Sequence, residues 1–202
     1  MTPPHVKRAA TGHPVLDPIA ARWSPYVFAP RQVEHDKLAM CLEAARWAAS
    51  SYNEQPWHFF VAPRERSTEF AALLDCLIEA NQAWAKDAGV LMLTVVSRTF
   101  RRNGTPNRMA EHDLGLAVGN LSIQATALGL AVHQMAGINP SKARQVLGIP
   151  DAHDPVTAIA LGYAGDPAQA SVSGVAERDQ AARSRKPLRE FVFTGTWNRA
   201  AE

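Results

Sequence analysis

Apolar residues recur along this chain at two different intervals, and the change of interval marks out its elements. From Glu34 to Ala49, Leu38, Leu42 and Ala45 fall on one face at helical spacing. The stretch STEFAALLDCLIEAN repeats the pattern through Phe70, Leu73, Leu74, Leu77 and Ile78, with Ser67 as its N-cap, which predicts a second core-packing helix. Three runs, HFFVA (58–62), GVLMLTVVS (89–97) and VTAIALGYA (156–164), are rich in β-formers and of strand length. The unbroken second run predicts a strand covered on both faces, and so a sheet with helices around it.

The longest helical pattern lies between Met109 and Leu130, with Leu114, Val118, Leu121, Ala125 and Leu128 on a stripe. Gly115, Ala117 and Gly119 would let a neighbour approach this central helix closely. A short segment, AVHQMAG, leads into NPSKARQVLGIP, where Asn139 and Pro140 suit a helix start and Gly148 and Pro150 its end. Residues 1–20 are proline-rich and aperiodic, which predicts a flexible lead-in. Residues 21–202 read as one domain, of which 166–202, polar until LREFVFTGTW, form a C-terminal arm that wraps onto something already folded.

Composition adds limits. With 202 residues, 47% of them hydrophobic and 20% charged, the chain has enough apolar material for one large core. A formal charge of +2 is too small to argue for nucleic acid as a partner. Cys41 and Cys76 lack metal-site spacing and read as small buried apolar groups, so no metal is expected. The first residues have prolines and charges where a secretory signal needs an apolar run, and GVLMLTVV is far short of a membrane span. The expectation is a cytoplasmic protein with no membrane association.

Three polar segments break the rhythm. SSYNEQPW (50–57) has the pattern of neither helix nor strand and could be a plain capped turn. In RWSPYVF, Arg22 and Ser24 are two apart, so an extended backbone points both side chains the same way toward one anion. RSRKPLR concentrates Arg183, Arg185, Lys186 and Arg189, whose guanidinium groups are suited to fork onto phosphate oxygens. Lys186 and Arg189 read as solvated. No nucleophile elbow, zinc-protease helix, P-loop or dinucleotide fingerprint is found.

Taken in order, RWSPYVF, AARWAASSYNEQPWHFFVA, NQAWAKDAGVLML, EHDLGLAVGNLSIQATALGLAVHQMAGI, ALGYAGDP and RSRKPLREFVFTGTW resemble the FMN-dependent nitroreductases from about Arg22 to Trp197. The resemblance implies an α+β fold, a three-layer α/β/α sandwich with a mixed, mainly antiparallel sheet, built as a homodimer with exchanged terminal arms. It implies that Arg22, Ser24, Arg183 and Arg185 hold the FMN phosphate, with Trp23 and Tyr26 as cofactor-binding positions in the first block. Ser50, Ser51 and Asn53, supported by Gln55, would approach the flavin from the neighbouring subunit, and Asn81 would bond its ribityl and ring edge. Gln134, Met135, Ala136 and Gly137 would pass their backbone along the ring, glycine allowing close approach to a flat surface. Tyr26 and Trp84 stand where relatives often carry basic residues.

The implied activity is hydride transfer from NADH or NADPH, through flavin N5, to nitroaromatics, quinones or similar electron-poor acceptors by a ping-pong route. No side chain need act as a catalyst, and Trp84 and Phe100 are candidate walls of the substrate pocket. Two other readings are open: a flavin-binding sensor or storage protein, or a relative with different redox work such as dehalogenation or flavin destruction; and, using the basic arm, a nucleic-acid-binding module. The last would need the aromatic interleaving that RSRKPLR lacks.

Overall fold

The computed structural model describes residues 5–197 and residue 199. Its centre is a four-stranded sheet in the order β1-β2-β4-β3, formed by β1 (Trp57–Pro63), β2 (Val90–Ser97), β3 (Ala131–Met135) and β4 (His153–Gly162). Each neighbouring pair is antiparallel, so the mixed component expected from the sequence is absent among the described residues. β2 lies inside the sheet with Val90 through Val96 buried, which explains its unbroken apolar run. β1 and β3 are the edges.

Alternation along β2 and β4 sends side chains to two separate cores. On one face Met92, Val96, Ile159 and Leu161 pack against α2 (His35–Arg46) and α5 (Ala110–Ala127) through Leu38, Cys41, Leu114, Val118 and Leu121. On the other, Leu91, Leu93, Val95 and Ala160 meet α3 (Ser67–Asp75), α4 (Glu79–Ala85) and α6 (Pro140–Leu147) through Phe70, Leu73, Trp84 and Ala143. The result is the three-layer α/β/α sandwich of an α+β protein. Both cysteines are buried and free, and burial pushes the Cys41 thiol up to about 11. No described helix is long and apolar enough to cross a membrane.

Two expectations are adjusted by tertiary contacts. The helix pattern of residues 67–81 is interrupted: α3 stops at Asp75, and Leu77 bridges Ile138 while Ile78 N–H donates to Gly137 O at 3.1 Å. The backbone leaves the helix to bond the segment after β3, and α4 then restarts at Glu79. In α5, Gly115 and Gly119 face open space rather than a packed neighbour within the chain. At α6 the reading holds in detail: Asn139 Oδ1 accepts from Lys142 N–H at 3.0 Å, and Gly148 ends the helix with φ 63°.

Both ends of the chain dock on this frame. Residues before α1 (Asp17–Ala21) bond back to it, Ala9 N–H reaching Ala20 O at 2.9 Å. After α1 the chain extends alongside the end of β4, with Ala29 N–H to Tyr163 O and Gly165 N–H to Val27 O, each 2.8 Å. A Cβ on Gly165 would lie 2.8 Å from the Phe28 carbonyl carbon, so this pairing needs glycine. The tail folds a last helix, α7 (Val175–Gln180), whose Asp179 is only 2% exposed. Its carboxylate accepts the backbone N–H of Tyr26 at 3.0 Å and of Val27 at 2.9 Å. Replacing Asp179 by Ala orphans two donors; urea unfolding should show a loss of about 3 kcal/mol.

Candidate functional site

The segment leaving α1 carries the first group of polar residues. Arg22 is extended, and its guanidinium donates to Ser24 Oγ at 3.1 Å, as their spacing anticipates. Trp23 is buried beneath the Lys7 ammonium. The His133 imidazole bonds Pro25 O through Nδ1 at 2.8 Å, which assigns that nitrogen as the donor. Arg183 returns from the tail and donates to Lys7 O at 2.9 Å and Ala20 O at 3.0 Å.

Arg22, Arg183 and Arg185 therefore meet. Burial, then the neighbouring Arg185, depresses the Arg22 pKa; burial, then Arg22 and Arg185, depresses that of Arg183. Among the described residues no carboxylate lies within ion-pair reach of any of the three. Three cations gathered without an anion repel one another, and an added phosphate would relieve that.

Next to this cluster lies the end of β3. Gln134 is exposed with Nε2 3.4 Å from Ser122 Oγ, Met135 is buried, and Ala136 is exposed. Gly137 O accepts from Asn81 Nδ2 at 3.1 Å. A Cβ on Gly137 would stand 2.5 Å from that Nδ2 and 2.7 Å from Ile78 Cδ1. The glycine thus makes room for Asn81 and Ile78 of the same chain, a reason different from the approach of a flat ring.

The second group sits elsewhere. In the loop Ser50–Gln55, Tyr52, Asn53 and Gln55 all have positive φ, 53°, 54° and 53°. Three left-handed non-glycine residues in four positions is strain that persists only when surroundings impose it. Here Ser50 Oγ accepts from Gln55 N–H at 3.0 Å, Asp113 Oδ2 from Ser51 N–H at 3.0 Å, and Gln55 Nε2 donates to Asn53 O at 3.0 Å. Buried Glu54 accepts from Arg101 N–H at 2.8 Å. The loop is built to hold a shape, not merely to turn.

These groups lie on opposite edges of the sheet. Ser50–Gln55 feeds β1 and Gln134–Gly137 ends β3, with β2 and β4 between them, a span of about 14 Å at ordinary strand spacing. α5 measures the same gap: Asp113 holds Ser51 and Ser122 meets Gln134, nine residues and about 14 Å apart along a helix. The two candidate pocket aromatics are divided in the same way. Trp84 is buried, 5.0 Å from Tyr26, 4.5 Å from His133 and stacked on Phe28 at 6.4 Å, walling a cleft of about 280 Å³ with Arg64, Lys86 and Val172. Phe100 instead meets Tyr52 edge-on at 5.8 Å.

Two residues that the sequence reading passes over matter here. Asp179 clamps the first segment, and Arg178 donates to Tyr26 Oη at 3.2 Å with its guanidinium 5.3 Å above the ring. A cation therefore reaches the Tyr26 position from α7. Neither residue has a local signal, since each looks like a solvated helix charge.

Comparison with known proteins bears on this arrangement. The nitroreductase family model matches residues 19–163. A crystal structure of an oxidoreductase containing FMN superposes with TM-score 0.86 at 31% identity, covering 93% of this chain and 94% of that one. A nitroreductase family protein from Clostridium difficile superposes with TM-score 0.64 at 26% identity, covering 87% and 94%. A protein of Archaeoglobus fulgidus, provisionally named NADH dehydrogenase/NAD(P)H nitroreductase, is 30% identical over 156 residues, 75% of this chain and 86% of the relative.

Burial, its leading cause, lowers the His133 pKa from the ordinary 6.5, so the unfolded state binds the proton more readily. Stability should therefore fall as pH drops below about 6.5 and level off beneath the folded pKa. Urea unfolding of His133→Gln should show a shallower acid-side loss. Gly137→Ala should displace Asn81 and cost about 1–3 kcal/mol, measured in the same way.

Proposed function

The chain belongs to the nitroreductase family, and from that premise we propose that it is an FMN-dependent oxidoreductase using NADH or NADPH as electron donor. The observation that carries the reading is the arginine cluster. Arg185 lies near enough to Arg22 and Arg183 to depress the pKa of both, with Ser24 bonded to Arg22, and a phosphate monoester would supply the missing charge and acceptors. Bound FMN would supply the chemistry, taking hydride from the nicotinamide and passing electrons to a nitroaromatic, quinone or similar flat, electron-poor acceptor in alternation.

The chain's own residues position and polarise. Asp179 and His133 fix the backbone that carries Arg22 and Ser24. Asn81, braced on Gly137 O, and the outward backbone groups of edge strand β3 would line the ring, while exposed Gln134 and Ala136 border it. The strained Ser50–Gln55 loop would contribute hydroxyl and amide groups from the other edge.

A gap of about 14 Å between the groups argues for a homodimer in which each site takes one group from each chain. Two surfaces support it. α5 turns Gly115, Leu116 and Gly119 outward, and the tail leaves Leu188, Phe191 and Trp197 exposed, the last at 82%. Such apolar exposure fits terminal arms exchanged between copies. Cytoplasmic location and a small-molecule acceptor complete the reading.

Purified protein should be yellow and oxidise NADH or NADPH with a quinone acceptor; a bound flavin that stayed oxidised under both donors would favour a sensor. Arg185→Ala, an exposed side chain, should weaken FMN about 10- to 100-fold, measured by flavin fluorescence titration. Mixing Arg22→Ala/Arg185→Ala chains with Ser50→Ala/Asn53→Ala chains should restore one flavin site per mixed dimer. No restoration after subunit exchange would refute the shared site.

A further inference from the structure

The loop between β2 and α5 presents a cation that the flavin reading does not use. Arg102 lies with its guanidinium 4.1 Å from the Tyr52 ring centroid and 5.5 Å from that of Phe100. Among the described residues its five N–H donors have no hydrogen-bond acceptor and no carboxylate within ion-pair reach. Its neighbours differ: Arg98 pairs with Asp154 and Glu111, and Arg101 lies 3.4 Å from Glu54. Arg108 is likewise without a carboxylate partner among the described residues, so the loop's surface is net positive.

The platform is rigid. Thr99 bridges Pro106, Phe100 N–H donates to Thr105 O at 2.9 Å, and Gly104 turns the tip with φ 69°. Arg101 N–H ties this loop to Glu54 in the strained loop. Tyr52, held at φ 53° and 73% exposed, accepts backbone strain and solvent exposure of an aromatic ring, and the ring's partners are Arg102 and Phe100. Both features are unfavourable for folding alone.

We propose that Arg102, pre-oriented on Tyr52 and Phe100, is the specificity element for the electron donor and selects the dinucleotide that carries a 2′-phosphate. The inference rests on the proposed use of a nicotinamide donor. NADH and NADPH share the nicotinamide and the pyrophosphate; they differ only by a phosphate on the adenosine ribose. A planar guanidinium with free donors meets phosphate oxygens in pairs, and the adjoining Tyr52 and Phe100 rings accept a stacked purine from either donor. A neutral quinone or nitroaromatic offers such a cation only uncharged acceptors, whereas a phosphate adds charge-assisted bonds. The platform also adjoins Ser50–Gln55, through Arg101 N–H to Glu54 and Phe100 against Tyr52, so it borders the proposed flavin site.

Two readouts test this. Titration calorimetry compares adenosine 2′,5′-bisphosphate with adenosine 5′-monophosphate, on wild type, Arg102→Ala and the distant surface variant Arg66→Ala. The expected result is a preference for the bisphosphate of about tenfold or more, lost in Arg102→Ala and kept in Arg66→Ala. In turnover, Arg102→Ala should raise the KM for NADPH about tenfold while kcat, the NADH constants and the flavin content stay within about twofold. Equal affinity of wild type for the two nucleotides, or equal losses with both donors, would overturn the proposal. Failure to hold flavin or to oxidise either donor would instead strike the oxidoreductase reading, and the nucleotide titration would still decide for or against Arg102 as a phosphate site.

Discussion

One buried carboxylate holds the two ends of this chain together. Asp179 accepts the N–H groups of Tyr26 and Val27 across 153 and 152 positions of sequence. Because that clamp fixes α7 against the extended segment after α1, Arg183 can reach Lys7 O and Ala20 O and stand beside Arg22. Without the clamp, the Arg183 bonds to Lys7 O and Ala20 O and the Lys7 bond to Arg178 O would have to hold the arginines together against a repulsive mutual Coulomb energy. The fold thus spends hydrogen bonds at one point to hold uncompensated charge at the next. An anion site is the arrangement in which that makes physical sense.

The sheet decides what the site can contain. Its four strands put the ends of β1 and β3 at opposite edges, and α5 spans the same gap on one face. A single copy offers two separate polar surfaces, one rich in cations and backbone groups, the other in strained hydroxyl and amide groups. Neither surface is accidental in its local chemistry. The first depends on glycine at 137 to admit Asn81, and the second keeps three non-glycine residues left-handed through bonds from Ser50 and Asp113.

Much of the frame could be read from residue order. The runs at 58–62, 89–97 and 156–164 are strands, the stripe through Leu114 and Leu121 is a buried helix face, and Asn139 and Gly148 begin and end α6. The break between α3 and α4 was invisible because Leu77 continues the helical spacing while its backbone bridges Ile138, a contact across 61 positions (138 − 77). Asp179 and Arg178 were invisible for the same kind of reason: a charged residue on a short helix looks solvated until its distant partner is known. Gly137 illustrates a subtler limit. The sequence reading assigns it to the approach of a flat ring, yet the space it opens is filled by Asn81 and Ile78, which only packing reveals. Arg22 and Ser24, by contrast, were legible because two-residue spacing in an extended segment fixes their direction.

The central claim is that Arg22, Arg183 and Arg185 are completed by a phosphate carried on a flavin. Thermal unfolding of flavin-stripped protein, with equal excess of FMN or of riboflavin, separates the phosphate from the ring in one experiment. A ligand that binds only the folded state stabilises it by RT ln(1 + L/Kd), where L is the free ligand concentration, and so raises the melting temperature. A rise of several degrees with FMN and little or none with riboflavin is the result expected here. Equal shifts from the two compounds, or none from either, would contradict it.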